Sequence, residues 1–319
     1  MPIRLAPEFQ YIHQYFKRLA GAGALDLADD AALLSIDPNY ELVITADAMI
    51  EGVHFFPNDP TDLIARKLLR CNLSDLAGMG ADPVGYLLTV SLPATCFNAS
   101  WFEKFTDGLL QDQRFYNFSL LGGDTTKNPS HMVFSVTMTG KVIKNMALRR
   151  NNAKAGDGIW VTGTIGDSAL GLLALQNKIV DKSGFLTRRY HLPQPRLGLN
   201  LNNIASAGMD ISDGFIQDLG HLTRESHVGA VIYTHRIPLS NAAKALGPSY
   251  LETCLTGGDD YELLLTISPE REHAALMNSK KANITLTKIG YCTDQNQSIA
   301  FYDEQNNLVS FNKTGWSHI

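Results

Sequence analysis

The stretch NNAKAGDGIWVTG, Asn151 to Gly163, decides how this chain is organised. Two asparagines and a Gly-Asp-Gly turn supply linker chemistry, and the apolar run Ile159-Trp160-Val161 that follows reads as the start of a new buried strand. A linker that opens a fresh strand midway along 319 residues predicts two domains, 1–148 and 149–319, with the boundary falling near 145–155. Strands and helices mix on both sides of it without a strict βαβ rhythm. The fold class expected is therefore α/β (α+β) in two domains.

Working outward from the linker, Phe9, Ile12, Phe16 and Leu19 recur at helical spacing and predict a helix over 8–20. Strands are expected over 31–36 (AALLSI), 41–46 (ELVITA), 85–92, 118–124 and 131–143, and a helix over 61–77, stopped by Gly78 and Gly80. Ser100 with Glu103 three residues on reads as a capping box opening a further helix. Beyond the linker, helices are expected in GDSALGLLALQN, in the proline-started PQPRLGLNLNNIASAG and in IQDLGHLTRES, with strands in AVIYT and YELLLTI. No internal repeat or low-complexity tract is evident.

Composition narrows the function classes. Hydrophobic residues make up 45% and charged residues 18%, ordinary for a globular protein with a sizeable core. A net charge of −5 argues against a nucleic-acid partner, which needs a basic face. Any phosphate ligand would have to be held with the help of cations. The four cysteines, Cys71, Cys96, Cys254 and Cys292, form no CxxC pair, which argues against a zinc site or a disulfide framework and for a reducing cytoplasm. No run of about 18 apolar residues is present to span a bilayer, so no membrane partner is expected.

The informative pattern is where the acids sit. Asp29 and Asp30 immediately precede a strand and Asp47 immediately follows one. Asp124 follows LLGG, Asp210 and Asp213 bracket Ile-Ser, and Asp259 and Asp260 follow TGG. Asp75 lies within a helix, three residues from Asn72 and on the same face. Aspartate favours turns and caps, so each position singly has an ordinary reading. As a set, acids at strand ends beside glycines suit a ligand approached closely by backbone. Oxygen donors without paired His or Cys point to Mg²⁺ or Mn²⁺, and magnesium usually shares its carboxylates with substrate phosphates. Phosphoryl chemistry follows. The common phosphate cradles, GxxxxGK[ST] and GxGxxG, are absent, as are the protein-kinase motifs.

The motifs DDAALL, TADAMIEGVHF, NLSDLAGMGADP, LGGDTT, GDGIWVTGTIGDSALGL, DISDGFIQDLGHL and GGDDYELL stand in the order found in the thiamine-monophosphate kinases, which the chain resembles from about residue 8 to its end. That family is similar to aminoimidazole-ribonucleotide synthetase and selenophosphate synthetase. The resemblance implies an N-terminal α/β domain whose strands pair with a second subunit in a dimeric β-barrel, followed by a C-terminal α/β domain. It implies direct phosphorylation of thiamine monophosphate by ATP with several Mg²⁺ ions, the last step of thiamine diphosphate synthesis.

Carried over by position, the resemblance implies metal-binding roles for Asp30, Thr45, Asp47, Asp75, Asp124, Asp210 and Asp213, and for Ala46 through its backbone carbonyl. Of these, Asp30, Asp47, Asp75, Asp124 and Asp213 are the expected catalytic carboxylates. Gly123, Asp124, Arg150 and Ser212 match nucleotide-contacting positions, and His54, Asp259 and Trp316 match positions that hold thiamine phosphate. Alternatives remain: His54 as a core histidine, Trp316 as packing for the tail, Arg149 in place of Arg150. At Asp259 the family usually carries Glu, so this acid is one methylene shorter. The rival readings are another ATP-dependent enzyme of the same superfamily, a non-catalytic nucleotide- and metal-binding regulator, and a metal-dependent phosphatase.

Overall fold

In the β4 segment Val133–Ile143, apolar Phe134, Val136, Met138 and Val142 alternate with Ser135, Thr137, Thr139 and Lys141, the period-2 pattern of a strand covered on one side. The computed structural model describes residues 10–316. They divide into two units. The first comprises the described residues through Leu76 together with Asp82–Lys144, and the second comprises Ala77–Ala81 and the residues from Asn145 onward.

The first unit holds β1 (Tyr40–Ile50), α1 (Thr61–Gly78, its last turn counted with the second unit), β2 (Asp82–Leu92), α2 (Ala99–Tyr116), β3 (Ser119–Lys127) and β4. Its sheet has the order β1-β4-β2-β3, with β2 and β3 parallel and the other pairs antiparallel. One face is packed. Phe105 and Trp101 of α2 stack on Phe134, ring centroids 5.0 and 6.2 Å apart, and the Leu76 side chain of α1 lies where a Cβ on Gly140 would stand 3.0 Å away. Among the described residues, the opposite face carries no α-helix. Along its β1 side Leu42, Ile44 and Ile50 stay exposed, Ile44 at 62%.

The second unit holds β5 (Gly158–Thr162), α3 (Asp167–Leu175), α4 (Phe185–His191), β6 (Ala205–Ile211), α5 (Phe215–Ser226), β7 (Gly229–Tyr233), α6 (Asn241–Leu246), α7 (Leu251–Thr256), β8 (Glu262–Ile267), α8 (Glu272–Ala282), β9 (Leu286–Thr293), β10 (Ile299–Tyr302) and β11 (Leu308–Val309). Its seven strands run β11-β10-β7-β9-β5-β8-β6, antiparallel except for the β7–β10 pair. Every residue of β5 and β8 is buried, which is why both have apolar centres, Ile159–Val161 and Leu263–Leu265, in place of alternation. Ile159, Val161, Met209 and Leu264 join α5 residues Phe215, Leu219 and Leu222 in one cluster, while Trp160, Leu263, Leu265 and Ile267 join Ala275 of α8 in another. Alternate residues of the same strands thus feed separate cores.

Three sequence expectations are corrected. Residues 31–36 form no strand: Leu33 is 68% exposed and its N–H bonds to Gly23 O at 2.9 Å, so no ladder takes up the run. The cap of α2 is Asn98, whose Oδ1 accepts from Trp101 N at 3.0 Å, two residues ahead of the expected Ser100. The proline-started stretch 193–204 is irregular, with Asn200 and Asn203 in the left-handed region at φ 50° and 65°. Of the helix expected over 8–20, residues 8 and 9 lie outside the described residues. The remainder winds as a π-type turn, Ile12–Phe16, and a 3₁₀ turn, Lys17–Leu19. No described helix is long and apolar enough to cross a membrane.

Candidate functional site

In the first unit, Thr45 and Asp47 stand two residues apart on β1 and so share a face, the one turned towards α1. There Thr45 Oγ1 donates to Asp75 Oδ2 at 2.5 Å. Burial, reinforced by the charge of Asp75, pushes the Asp47 carboxyl up to about 6. Asn72, one turn before Asp75, is fully buried, gives its amide N–H to Leu68 O at 3.0 Å and leaves Oδ1 without a hydrogen-bond partner. Two repelling carboxylates, a hydroxyl and an orphaned amide oxygen are the all-oxygen donor set that suits a hard cation. Ala46 points to the other face, opposite Thr137.

Asp30, with Asp29, Gly123 and Asp124, lines a separate cavity of about 720 Å³ in the same unit. Strand register explains the separation. Asp47 pairs with Val136 and thence Leu88, whereas Asp124 pairs with Thr89 and thence Ser135, so the two acids occupy opposite faces of the sheet. Gly123 is required where it stands: a Cβ would lie 1.9 Å from Leu88 O. His54 sits half-buried in the turn after β1 rather than in a core. Its Nδ1 accepts from Ile50 N at 3.0 Å, so the neutral ring carries its proton on Nε2. Lys67 Nζ fixes the same turn by donating to His54 O at 3.1 Å.

In the second unit the predicted residues gather around the turn that joins β6 to α5. Asp210 ends β6, buried, and Gly78 approaches its backbone so closely that a Cβ would stand 3.0 Å from Asp210 N. Ser212 O accepts from Asp259 N at 2.8 Å, and Asp213 O accepts from Trp316 N at 2.9 Å. Asp259 adopts φ 62°, and Tyr261 OH donates to its Oδ1 at 3.3 Å. Trp316 is 52% exposed. The Arg150 charge lowers both the Asp218 carboxyl and the His221 ring, whereas the Arg149 carbonyl accepts from Gly208 N at 3.2 Å.

Sequence reading passed over Asp218, although an acid in the first turn of a helix is a recognisable signal. One of its oxygens accepts from both Ser212 N, at 3.0 Å, and Asp213 N, at 3.1 Å. Burial and the Asp213 charge push its carboxyl up to about 7 against the pull of those two N–H bonds and of Arg150. Asp213, Asp218 and His221 each offer a ligand atom within 4.8 Å of the others, the one such group among the described residues. Asp260 is not at the surface with Asp259: it is buried, both its oxygens accepting from Gly166 N at 2.9 Å. Behind it Glu262 is held by Arg189 at 2.9 Å and by Arg196 at 2.5 Å.

Residues 28–142 match the family described as AIR synthase related protein, N-terminal domain, and residues 154–303 match the corresponding C-terminal domain. Over 321 residues the chain is 38% identical to the thiamine-monophosphate kinase of Caulobacter vibrioides, covering 98% of this chain and 90% of that one. The chain belongs to the thiamine-monophosphate kinase family. Among solved structures, the thiamine-monophosphate kinase of Stenotrophomonas maltophilia is 37% identical with a TM-score of 0.78, covering 86% of this chain and 89% of that one. AaThiL complexed with AMPPCP and TMP is 28% identical with a TM-score of 0.77, over 95% and 98% of the two chains. The two-domain α/β architecture is thus that of the AIR synthase-related proteins.

Proposed function

We infer that the protein transfers the γ-phosphoryl group of ATP to thiamine monophosphate, giving thiamine diphosphate and ADP. The observation that carries this reading is the near full-length likeness to AaThiL, solved with an ATP analogue and TMP. An oxygen of the acceptor phosphate forms the new bond to the γ-phosphorus as the bond to the β-bridging oxygen breaks, and ADP leaves. The second pKa of a phosphate monoester is about 6, so the acceptor is ionised near neutral pH and no strong general base is needed. The work is positioning and charge neutralisation.

Bound Mg²⁺ ions supply the positive charge that lets two phosphate anions approach. Asp47 and Asp75, with Thr45 orienting Asp75, would hold one such ion, supported by their all-oxygen set and mutual repulsion. Asp30 and Asp124, sharing a cavity with Gly123, and Asp210 and Asp213 of the second unit are the further metal-binding carboxylates, and Ala46 offers only a carbonyl. Arg150 and Ser212 serve the nucleotide; His54, through its Nε2–H, Asp259 and Trp316 serve thiamine phosphate, the indole facing a cationic ring. The exposed Leu42, Ile44 and Ile50 face supports a homodimer closed through the four-stranded sheet. Four free thiols support a cytoplasmic setting.

The test is a product assay. Protein with ATP, Mg²⁺ and thiamine monophosphate should yield thiamine diphosphate and ADP in equal amounts; ADP with free phosphate and no diphosphate product would reject the kinase. Asp75→Asn should lower kcat by about 10²-fold or more with the fold intact by circular dichroism. Near-normal turnover in that folded variant would remove Asp75 from the metal set.

A further inference from the structure

The C-terminal tail reaches the β6–α5 turn along a route held by two side chains, Glu252 and Gln217. Glu252 Oε1 first gathers the tail by accepting from Asn312 N at 2.5 Å and Lys313 N at 3.1 Å. Gly315 then passes so close to α5 that a Cβ would stand 2.6 Å from Gln217 Cβ and 2.8 Å from Asp213 O. Trp316 N–H closes on Asp213 O. At that point Gln217 Nε2 donates to Trp316 O at 2.9 Å and to Asp213 Oδ2 at 3.2 Å. A primary amide has two N–H groups, and here both are used. One goes to the carboxylate expected to serve the metal-bound nucleotide, the other to the residue expected to meet the acceptor.

We propose that Gln217 is a positioning residue that latches the tail, so that Trp316 is presented to the cationic aromatic acceptor in register with the Asp213 carboxylate. The bond to Oδ2 also fixes the rotation of that carboxylate and leaves Oδ1 as the edge available to a cation. The inference rests on the role proposed above for Trp316. Gln217 itself touches neither substrate.

The experiment compares Gln217→Met, which keeps length and removes both donors, with Gly315→Ala, which opens the same latch from the tail side. Gln217 is only half-buried, so both variants should keep the wild-type far-ultraviolet spectrum. Two readouts are taken: hydrogen exchange of the 311–316 segment without ligands, and KM for each substrate. Both variants should exchange the tail about tenfold faster and raise KM for thiamine monophosphate about five- to tenfold, with KM for ATP within about twofold. Unchanged tail exchange in both variants overturns the latch. Faster exchange with no change in KM for thiamine monophosphate, or equal rises in both KM values, overturns the coupling. Trp316→Ala separates the two ideas: if it leaves KM for thiamine monophosphate unchanged, the role of Trp316 fails, while the exchange result still decides whether Gln217 holds the tail.

Discussion

The two sheets of this protein spend their apolar residues differently. In the seven-stranded sheet the central strands β5 and β8 are buried on both faces, and odd and even residues feed two cores. In the four-stranded sheet, among the described residues, α-helices pack one face alone, yet the other still carries Leu42, Ile44 and Ile50 on β1. A sheet face turned permanently to water would be expected to alternate to polar residues, as β4 does with Ser135, Thr137 and Thr139. Among the described residues, the first unit leaves apolar side chains exposed on one sheet face, whereas the second encloses its central strands on both sides.

The sharpest probe of that contrast is Leu264→Ala, which removes a fully buried side chain between packed neighbours. It should cost about 2–5 kcal/mol, read as a lowered urea midpoint for the second unit. The equivalent probe of the bare face is Ile44. Ile44→Lys should weaken self-association at least about tenfold, equivalent to about 1.4 kcal/mol, by light scattering across a dilution series. Ile44→Ala should move the stability of the separated protomer by no more than about 0.5 kcal/mol. A large loss there would mean that the chain itself already covers this face.

A pH-dependent effect should come from Asp260, sealed inside the second unit. Burial is the main cause that raises its carboxyl well above the usual range, opposed by the Gly166 N–H bonds and by Arg189. In the unfolded chain an aspartate releases its proton near pH 4, whereas the folded chain retains it to higher pH. The folded state therefore binds more protons in that window, and stability falls as pH rises above about 4, by up to about 1.4 kcal/mol per pH unit. Asp260→Asn should flatten this slope between pH 4.5 and 7; an unchanged slope would assign it to another group. The mildest probe is thiol labelling. Burial pushes Cys254 and Cys292 up to about 12 and encloses Cys71, so Cys96, half-buried, should be the one thiol alkylated before denaturation.

Much of this was legible in the sequence because it follows from periodicity. The Thr45–Asp75 pairing joins a strand residue to a helix residue whose faces the apolar pattern already fixes. Sequence spacing could not tell that Asp47 and Asp124 take opposite sheet faces, because that depends on the register between β2 and β3, which shifts between Tyr86 and Leu87. The run 31–36 has strand composition but no neighbour to pair with, and tertiary context overrides propensity. Asp218 and Gln217 escaped notice for a different reason. Both bond to backbone groups, Asp218 to Ser212 and Asp213 N–H and Gln217 to Trp316 O, and backbone partners leave no residue-type signature in a sequence.

Helix α1 begins in the first unit, but its last residues and those just after it, Ala77–Ala81, are counted with the second. They are fully engaged there: Ala77 enters a core cluster, Leu148 N donates to Met79 O at 2.9 Å, and Gly80 lies against Asn202. The gene therefore cannot be split at the linker into two self-sufficient halves. A fragment starting at residue 145 would lack five residues of its own interior, and a fragment ending at 144 would carry them as a foreign plug. Any rearrangement that exchanged one half for a relative's would have to bring this five-residue insert along with the half into which it packs.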